Sequence, residues 1–230
     1  MSVTEPTRTA LSPTPRSTLT RSKARGTADR AALDAVLDAG LVCHLGVLSH
    51  GAPVVVPTTY GRDGDTLYLH GSTGAGNLRA AVGADVSVTV THLDGLVYAR
   101  SAMHFSMNFR SAVIHGRPIE ITDPAERVRA LRTVVEHVAP GAWDTVRPPN
   151  PKELAATMVL ALDLTEASVK IRTGGPDDDP ADLTGDAWAG VLPIRQVFDA
   201  PIPAADLGPG IEAPAHVSAR VARTEVAAVQ

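Results

Sequence analysis

The sequence predicts a mainly β protein with flanking helices, built on an antiparallel barrel or sandwich. Six short segments are rich in β-branched residues, and "SHGA", "RDGD" and "LDG" between them have the composition of hairpin turns. Strands joined by such short loops run antiparallel, and closure into a barrel removes exposed edges. The alternation in "VSVTVTH" indicates one buried face and one polar or ligand-lining face. The predicted strand segments are 41–48, 53–60, 66–71, 85–92, 95–101 and 110–121.

Helical periodicity appears on both sides of this β region. In "TADRAALDAVLDAG", Thr27 is a candidate N-cap, Leu33, Val36 and Leu37 form an apolar stripe, and Gly40 ends the helix. Residues 123–138 repeat the pattern with an apolar side of Val128, Leu131, Val134, Val135 and Val138. "PKELAATMVLALDL" is typical of a short helix running into a strand, and "EASVKIR" of the hairpin partner of that strand.

Composition divides the chain into four parts. Residues 1–26, rich in Thr, Pro, Ser and Arg, are predicted to be a disordered basic arm, and 27–172 the barrel domain. Residues 173–187 are predicted to be a flexible acidic linker. Residues 188–230 combine a docking element, "WAGVLPIRQVF", with a Pro- and Ala-rich tail.

Several functional classes are disfavoured. Cys43 is the single cysteine, which excludes an internal disulfide and a cysteine zinc cage and fits a reducing cytoplasm. Residues 1–30 hold six of 21 basic and two of 25 acidic residues, so the rest of the chain is acidic and unsuited to nucleic acid. No apolar run is long enough to span a bilayer, and no nucleophile elbow, P-loop or helical metal motif appears. We expect a cytoplasmic protein without a metal site or a membrane or nucleic-acid partner.

The stretch "TLYLHGSTGAGNL" runs from a strand into a loop of glycine, serine and threonine. Such small residues let backbone N–H groups approach an anion, and the hydroxyls add further donors. The loop is therefore either a phosphate cradle or an ordinary turn.

The order of these motifs resembles a known family. A helix, a β-hairpin, "VVVPTTY", "DGDTLYLHGSTGAGNLRA", "DVSVTVTHLDGLVYARSAMHFSMNFRSAVIHGRP", a second helix and a late "WAGVLP" are similar to the pyridoxamine 5′-phosphate oxidase-like flavoproteins. The closest resemblance is to the flavin-nucleotide-binding and nitroimidazole reductase-related branch, over residues 29–193. It implies a six-stranded antiparallel FMN-binding split barrel that forms a homodimer, with FMN in a groove at the subunit interface.

The resemblance also implies cofactor-binding residues. The strand along the flavin ring corresponds to Val55, Val56, Pro57, Thr58 and Thr59, and the phosphate loop follows the next strand. Better-known members carry an Arg-Lys pair in that loop, whereas no arginine or lysine lies between Arg62 and Arg79 here. Because a phosphate dianion favours a guanidinium partner, Arg79 and Arg110 are the candidates. The expected loop contacts are His70, Gly71, Ser72, Thr73, Gly74, Gly76, Asn77 and Arg79.

Two further stretches are expected near the cofactor. "ARSAMHFSMNFRS" places many polar side chains between two strands, as in a ligand-lining loop or a solvated one. Its candidate cofactor residues are Ser106, Asn108, Arg110 and Ser111. Trp188 in "WAGVLP" resembles the late Trp-Gly-Gly motif whose indole contacts FMN from the other subunit, although Ala189 replaces a glycine. Packing at a dimer interface is the alternative role for this indole.

The resemblance implies an oxidoreductase that passes electrons from NAD(P)H through FMN to a small-molecule acceptor. Alternatives are a flavin- or haem-binding module without turnover and a deazaflavin-dependent reductase. Some relatives bind haem through one histidine, for which the strand histidines His44, His70, His92, His104 and His115 are candidates. His70 and His104 are also the polar groups to test first for catalysis.

Overall fold

The computed structural model describes Leu11 and residues 14–228, with the side chains of 222–228 left out. The fold is mainly β with flanking helices, as predicted. The helices are α1 (Arg30–Ala39), α2 (Gly76–Ala81), α3 (Pro124–Val138), α4 (Pro151–Ala155) and α5 (Ala215–Ala228). The strands are β1 (Gly26–Thr27), β2 (Cys43–Ser49), β3 (Ala52–Thr58), β4 (Tyr60–Asp63), β5 (Thr66–Ser72), β6 (Val86–Tyr98), β7 (Ser106–Gly116), β8 (Ile119–Glu120), β9 (Thr157–Asp163), β10 (Ala167–Arg172) and β11 (Gly190–Pro193).

The strands form two open antiparallel sheets. The large sheet has the order β1-β10-β7-β6-β2-β3, with β11 added to the far half of β6, and the small sheet has the order β4-β5-β9-β8. Neither sheet closes on itself, so the arrangement is that of a split barrel rather than a closed one. β3 pairs only with β2 among the described strands and is therefore an edge strand.

The core lies between the two sheets and is almost entirely aliphatic. It takes the inward residues of β2, β5, β6 and β9 and the predicted stripe of α1, with Tyr60 as its aromatic member. Fully buried members include Leu33, Leu37, Leu45, Leu67, Leu69, Val88, Ile114, Leu160 and Leu162. Burial also raises the pKa of the Cys43 thiol to about 12, so this cysteine is a core residue and not a nucleophile.

The capping of α1 differs from the prediction. Asp29, not Thr27, is the N-cap, and its carboxylate accepts a hydrogen bond from the backbone N–H of Ala31 at 3.0 Å. The hydroxyl of Thr27 instead accepts from Asp29 N, so it orders the turn before the helix. Gly40 is the C-cap, as expected, and Asp123 caps α3.

Two predicted hairpins are wrong. "LDG" is not a turn: β6 runs unbroken from Val86 to Tyr98, and the register shifts between Leu93 and Gly95 at a β-bulge. An aspartate and a glycine suit a bulge as well as a turn, because both need a local break in the ladder. β9 and β10 are not partners either, since β9 pairs with β5 and β8 while β10 pairs with β7 and β1. The short connection between them crosses from one sheet to the other.

The "SHGA" and "RDGD" turns were predicted correctly. His50 and Gly51 both have positive φ, 51° and 77°, and join β2 to β3 in register. Gly64, with φ 55°, joins β4 to β5. Consecutive positive φ angles are those of a type I′ turn, which matches the twist of two paired strands.

The described part of the N-terminal arm has defined contacts, in contrast to the expected disorder. Arg16 donates to Glu166 at 2.7 and 2.8 Å and to Asp85 at 3.0 Å, and Leu11 is buried in the core. The remaining residues of 1–26, namely 1–10, 12 and 13, lie outside the described residues. Arg16 thus attaches the arm to acidic groups that directly precede β6 and β10.

The segments after β10 also contact the barrel. In the predicted linker, Asp178 accepts from the guanidinium of Arg100 at 2.6 Å and from its backbone N–H at 2.9 Å. Residues 194–221 form a C-terminal strap, which passes beside β6 and ends in α5. The guanidinium of Arg220 in α5 donates to Val138 O and stacks on the ring of Phe198. No helix in the described part of the chain is long and apolar enough to cross a membrane.

Candidate functional site

The outer face of the large sheet, turned away from the core, is the first surface suited to a ligand. Cys43, Leu45 and Val47 of β2 point inward, so His44, Gly46 and Leu48 point outward. The register places Pro53, Val55 and Pro57 of β3 beside them, with Ser87, Thr89 and Thr91 of β6 and Ser111, Val113 and His115 of β7 on the other side. Val55 is 65% exposed and Leu48 68% exposed, so this face presents large apolar side chains to solvent.

The strand predicted to follow the flavin ring is therefore at an edge. Val55 and Pro57 lie on the outer face, while Val56 and Thr58 face the half-buried interior side. Because no described strand pairs with β3 on its second side, its backbone N–H and C=O groups there have no sheet partner within the described ranges and suit a ligand or a second chain. Thr59 lies between β3 and β4, and its carbonyl accepts from the Thr58 hydroxyl at 3.4 Å. This arrangement agrees with the expected role of the backbone of β3.

In the glycine loop after β5, most backbone N–H groups donate hydrogen bonds to other groups of the same chain. Thr73 N donates to Ala156 O at 3.0 Å, Gly74 N donates to the hydroxyl of Ser72 at 3.1 Å, and Ala75 N donates to Ser72 O at 2.8 Å. The loop therefore combines an ordinary turn with exposed donors, the hydroxyls of Ser72 and Thr73. A Cβ at Gly71 would lie 2.7 Å from a methyl group of Leu78, so a larger residue there would displace that side chain.

The two candidate phosphate-binding arginines have different surroundings. Arg79 lies on α2, just after the loop, is exposed, and makes no ion pair with any described residue. Arg110 lies on β7, where its Nε and Nη2 donate to Asp94 at 2.9 and 2.8 Å. This paired carboxylate raises the pKa of Arg110. Arg79 is therefore the arginine next to the loop that has no ion-pair partner among the described residues, and Asn77 lies half-buried two residues before it.

The polar stretch around residues 99–111 is divided between a connection and a strand: residues 99–105 link β6 to β7 and include a short 3-10 helix, Ala102–His104, and β7 begins at Ser106. β6 and β7 continue beyond the barrel as an arm, residues 94–109, to which β11 adds a third strand. Ser106 pairs with Val97 in this arm. Asn108 is buried, and its side chain accepts from Arg172 at 2.6 Å and donates to Gly174 O at 3.0 Å. Its amide therefore holds the start of the linker, which is a structural role within this chain.

Aromatic side chains meet on the arm. The ring of Tyr98 lies edge-on to Trp188 and to Phe105, with centroids 5.5 Å apart in both pairs. Trp188 is 66% exposed, and Met103 at the tip of the arm is 89% exposed. An indole anchored at one edge and open on the rest of its surface is placed to contact a ligand or a second subunit. Both roles expected for Trp188 remain compatible with this position.

The histidines differ in how their ring nitrogens are used. Nε2 of His92 lies 2.9 Å from Val36 O, and Nε2 of His137 lies 2.6 Å from Gly40 O. In each ring, Nε2 is therefore hydrogen-bonded to a backbone carbonyl. His70 on β5 is half-buried, and its Nδ1 is buried without a hydrogen-bond partner. Burial lowers the pKa of His70, so its imidazole is neutral near pH 7. A neutral, partly open imidazole has the donor chemistry of a metal ligand.

His104 has the second ring with an unsatisfied nitrogen. Its Nδ1 is buried without a partner, and its Nε2 lies 3.8 Å from a carboxylate oxygen of Asp179. His44 and His115 lie on the outer face, where His115 lines a cavity of about 280 Å³ with Gly46, Leu48 and Val55. No three His, Cys, Asp or Glu side chains within the described ranges converge as a metal-binding group.

Sequence reasoning missed several residues around Arg110. Asp94, its partner, was read as part of a hairpin turn, although it lies in the β-bulge. Phe198 ends the predicted docking element, whereas Arg220, which stacks on its ring, belongs to the Pro- and Ala-rich tail, where no periodic pattern marked it. An alternating strand pattern continued through "LDG" would have indicated that Asp94 and Arg110 are neighbours.

A family model and several solved protein structures match this chain. A family model described as pyridoxamine 5′-phosphate oxidase matches residues 29–171. The flavocytochrome Anf3 from Azotobacter vinelandii is 38% identical, with a TM-score of 0.87 over 91% of this chain and 98% of that one. The FAD and haem binding protein from Mycobacterium smegmatis is 36% identical, with a TM-score of 0.82 over 86% of this chain and 97% of that one. No curated protein matches the chain.

A more distant structure shares the fold. It is a protein provisionally assigned to 5-nitroimidazole antibiotic resistance in Bacteroides thetaiotaomicron, 21% identical, with a TM-score of 0.54. It covers 64% of this chain and 86% of its own. This similarity supports the split-barrel fold alone.

Proposed function

Because the chain belongs to the pyridoxamine 5′-phosphate oxidase family, we propose that it is a flavin-binding oxidoreductase that also holds a haem. The observation that carries this proposal is its similarity, along nearly the whole chain, to a flavocytochrome and to a protein named for FAD and haem. We propose FAD as the flavin, with FMN, implied by the family resemblance, as the alternative to be tested. When bound, a flavin supplies two-electron redox chemistry and a haem supplies one-electron chemistry.

The chain's residues fit a flavin in the following way. The open edge of β3 offers backbone donors and acceptors beside the exposed Val55 and Pro57, which suit the polar edge and the flat face of a flavin ring. Arg79 and the hydroxyls of Ser72 and Thr73 suit a phosphate, because the guanidinium is exposed and has no ion pair within the described residues. The flavin phosphate is thus assigned to Arg79 and not to the paired Arg110.

A haem fits the donor chemistry of His70. Its ring is half-buried, its lowered pKa keeps it neutral, and no described residue bonds Nδ1. Because iron binds the unprotonated nitrogen of imidazole, a neutral histidine is ready to coordinate without losing a proton first. His70 is therefore the residue that would hold the haem iron in this proposal.

The flavin groove is proposed to lie between two copies of the chain. Exposed branched residues on the outer face, the open edge of β3 and the apolar tip of the arm all favour a second copy as the partner. A groove shared between copies makes flavin binding and association linked equilibria. NAD(P)H is the proposed electron donor and a small molecule the acceptor.

Absorbance spectroscopy of the purified protein with added FAD, FMN and haem tests this function. We expect a flavin spectrum, a Soret band and loss of the flavin absorbance when NADH or NADPH is added without oxygen. His70→Ala should lose the Soret band and keep the flavin, whereas Arg79→Gln should weaken flavin binding about tenfold or more. His50→Asn is the matched control, since His50 lies in a turn at positive φ that Asn tolerates.

The outcomes separate the alternatives. Binding of both cofactors with no reduction by either nicotinamide would contradict the oxidoreductase and leave a binding module. A chain that binds neither flavin nor haem would contradict the proposal as a whole and direct the search to deazaflavins. A Soret band that survives in His70→Ala would reject the ligand assignment alone.

A further inference from the structure

A cavity of about 270 Å³ lies between the N-terminal arm and the edge of the large sheet. Residues 17–19 and Lys23 of the N-terminal arm form one wall, and residues 26–28 and 167–169, around the pairing of β1 with β10, form the other. None of the residues assigned to the flavin lines it, so it is a separate surface. Its volume is just below the usual range of drug-sized sites and suits a small molecule.

The cavity has an apolar floor. The side chains of Leu11, Leu19 and Val169 line it, and Leu11 and Val169 are buried. Leu19 lies directly over Gly26, where a Cβ would overlap one of its methyl groups. The absence of a side chain at Gly26 therefore lets Leu19 pack against β1. An alkyl group in this cavity would remove apolar surface from water, which favours its binding.

The opening of the cavity carries positive charge. Lys23 lines the cavity, and Arg21 and Arg25 lie two residues to either side of it in the chain. Lys170 is the register partner of Gly26, which is another lining residue. None of these four basic side chains has an ion pair or a hydrogen bond within the described ranges. Their charges are therefore available to an anion, with which they would form charge-assisted hydrogen bonds.

The polar lining of the cavity also suits an anion. The hydroxyls of Thr18 and Ser168 line it and have no hydrogen-bond partner among the described residues, and a hydroxyl can donate to a phosphate or carboxylate oxygen. No aspartate or glutamate belongs to the described lining. Glu166, which directly precedes β10, is held by Arg16 at 2.7 and 2.8 Å. The charge of Lys23 is therefore not compensated from within the cavity.

These two features select one class of ligand. An inorganic anion would leave the apolar floor uncovered, and a neutral alkyl chain would leave Lys23 without a partner. We propose that the cavity binds a single-chain amphiphilic anion, with its alkyl chain on Leu11, Leu19 and Val169 and its phosphate or carboxylate group at Lys23.

Isothermal titration calorimetry of the full chain tests the site with octyl phosphate and octanoate, both below their micelle concentrations. We expect at least one of these anions to bind, which also shows whether phosphate or carboxylate is preferred. Octanol should bind at least tenfold more weakly, because it lacks the charge. The four-carbon anion with the same charged group should also bind at least tenfold more weakly, because it buries fewer CH₂ groups.

Two variants separate the roles of charge and cavity. Lys23→Gln should weaken binding of the anion about tenfold and leave octanol unaffected. Ser168→Leu fills the cavity from a half-exposed strand position and should weaken the anion and octanol alike. Lys152→Gln is the matched control, because Lys152 is an exposed lysine of α4 without an ion pair among the described residues, and it should leave both affinities unchanged.

Three results would overturn the proposal. The first is that neither eight-carbon anion binds, and the second is that Lys23→Gln binds the anion as tightly as the wild type. The third is that the chain sediments with phosphatidylglycerol vesicles but binds neither free anion, because the cations would then serve a membrane surface and not a ligand in the cavity.

Competition with the flavin distinguishes this site from the proposed flavin site. Saturating FAD should leave the affinity for the bound anion unchanged. Displacement of the anion by FAD would place the cavity within the flavin site and overturn the assignment of a separate site. A chain that binds no flavin but still binds the anion would contradict the proposed function and leave this inference standing.

Discussion

At the scale of single residues, hydrogen bonding separates side chains that look equivalent in the sequence. Arg79 and Arg110 were equal candidates for a phosphate, but Arg110 is paired with Asp94 and Arg79 is not paired with any described residue. Likewise, His92 and His137 each have a backbone carbonyl as partner, whereas the Nδ1 atoms of His70 and His104 are buried without one. The position of a residue type in the chain does not show which partners its polar atoms have already found.

Trp188 gives a spectroscopic prediction at this scale. The chain has two tryptophans, Trp143 and Trp188. If Trp188 contacts the flavin, adding FAD to Trp143→Phe should quench most of its tryptophan fluorescence. Trp188→Phe, which retains Trp143 beside α3, should be quenched much less. Equal quenching in the two variants would contradict a contact between Trp188 and the flavin.

His137 gives a prediction for the dependence of stability on pH. Burial lowers the pKa of His137 below its ordinary 6.5, Gly40 O and Asp38 oppose this shift, and Arg62 and Arg220 add to it. The unfolded chain therefore binds a proton near pH 6.5 that the folded chain does not. The free energy of unfolding should fall as the pH drops through 6.5, by at most about 1.4 kcal/mol per pH unit for one histidine.

Urea unfolding of the cofactor-free protein at pH 7.5 and 5.5 measures this effect. His137→Gln retains an amide that can donate to Gly40 O and removes the titration, so its stability should change less between the two pH values. Carboxylates with a lowered pKa, such as Glu153 and Glu166, act below their ordinary 4.5 and leave this window unaffected. An identical pH dependence in wild type and variant would disprove the assignment.

At the scale of elements, close approach of α3 to the small sheet depends on a glycine in β4. A Cβ at Gly61 would lie 2.7 Å from Val134 Cα and 2.8 Å from Thr133 C, which are backbone atoms of the helix. The helix backbone cannot move away without opening the packing of Ala130 and Val134. The sequence marks α3 as amphipathic, but not the distance at which it packs.

Gly61→Ala should therefore destabilise the protein. Overpacking against a backbone costs about 1–3 kcal/mol, which lowers Tm by several degrees for a chain of this size. Gly76→Ala is the control, because a Cβ there meets nothing within 4 Å and the position is helical, so Tm should stay the same or rise slightly. Thermal unfolding followed by circular dichroism distinguishes the two, and an unchanged Tm in Gly61→Ala would refute the close approach.

At the scale of the whole molecule, the outer face and the arm leave apolar surface uncovered. We expect the chain to form a homodimer through these surfaces, in line with the exposure of Leu48, Val55 and Met103. Val55→Glu places a charge on this face and should yield a monomer with weakened flavin binding. Ile202→Glu alters an even more exposed residue of the strap, and should remain a dimer with normal flavin binding.

Sedimentation equilibrium with and without FAD checks this prediction. FAD should increase the dimer fraction of the wild type, because in the proposed groove each subunit contacts the flavin. A Val55→Glu protein that stays dimeric, or a monomer that binds FAD as tightly as the wild type, would rule out the interface on this face.

The sequence by itself determined which kinds of secondary-structure element the fold contains and where several of them begin and end. Alternating β-branched residues, two correct hairpin turns, the apolar stripe of α1 and the cap of α3 all act locally, so their chemistry is readable along the chain. The order of the motifs was specific enough to indicate the family over residues 29–193, and the family model confirmed the family with a match to residues 29–171.

The tertiary structure alone decided which strands pair and which polar groups meet. A short connection between β9 and β10 permits a hairpin or a change of sheet, and only the packing of both sheets around one core selects the second. The ion pair of Asp94 with Arg110 and the cavity that they line together with residues 194–198 join segments far apart in the chain. Such contacts join residues that are far apart in the chain, and no periodic pattern in a single sequence shows which of these residues meet.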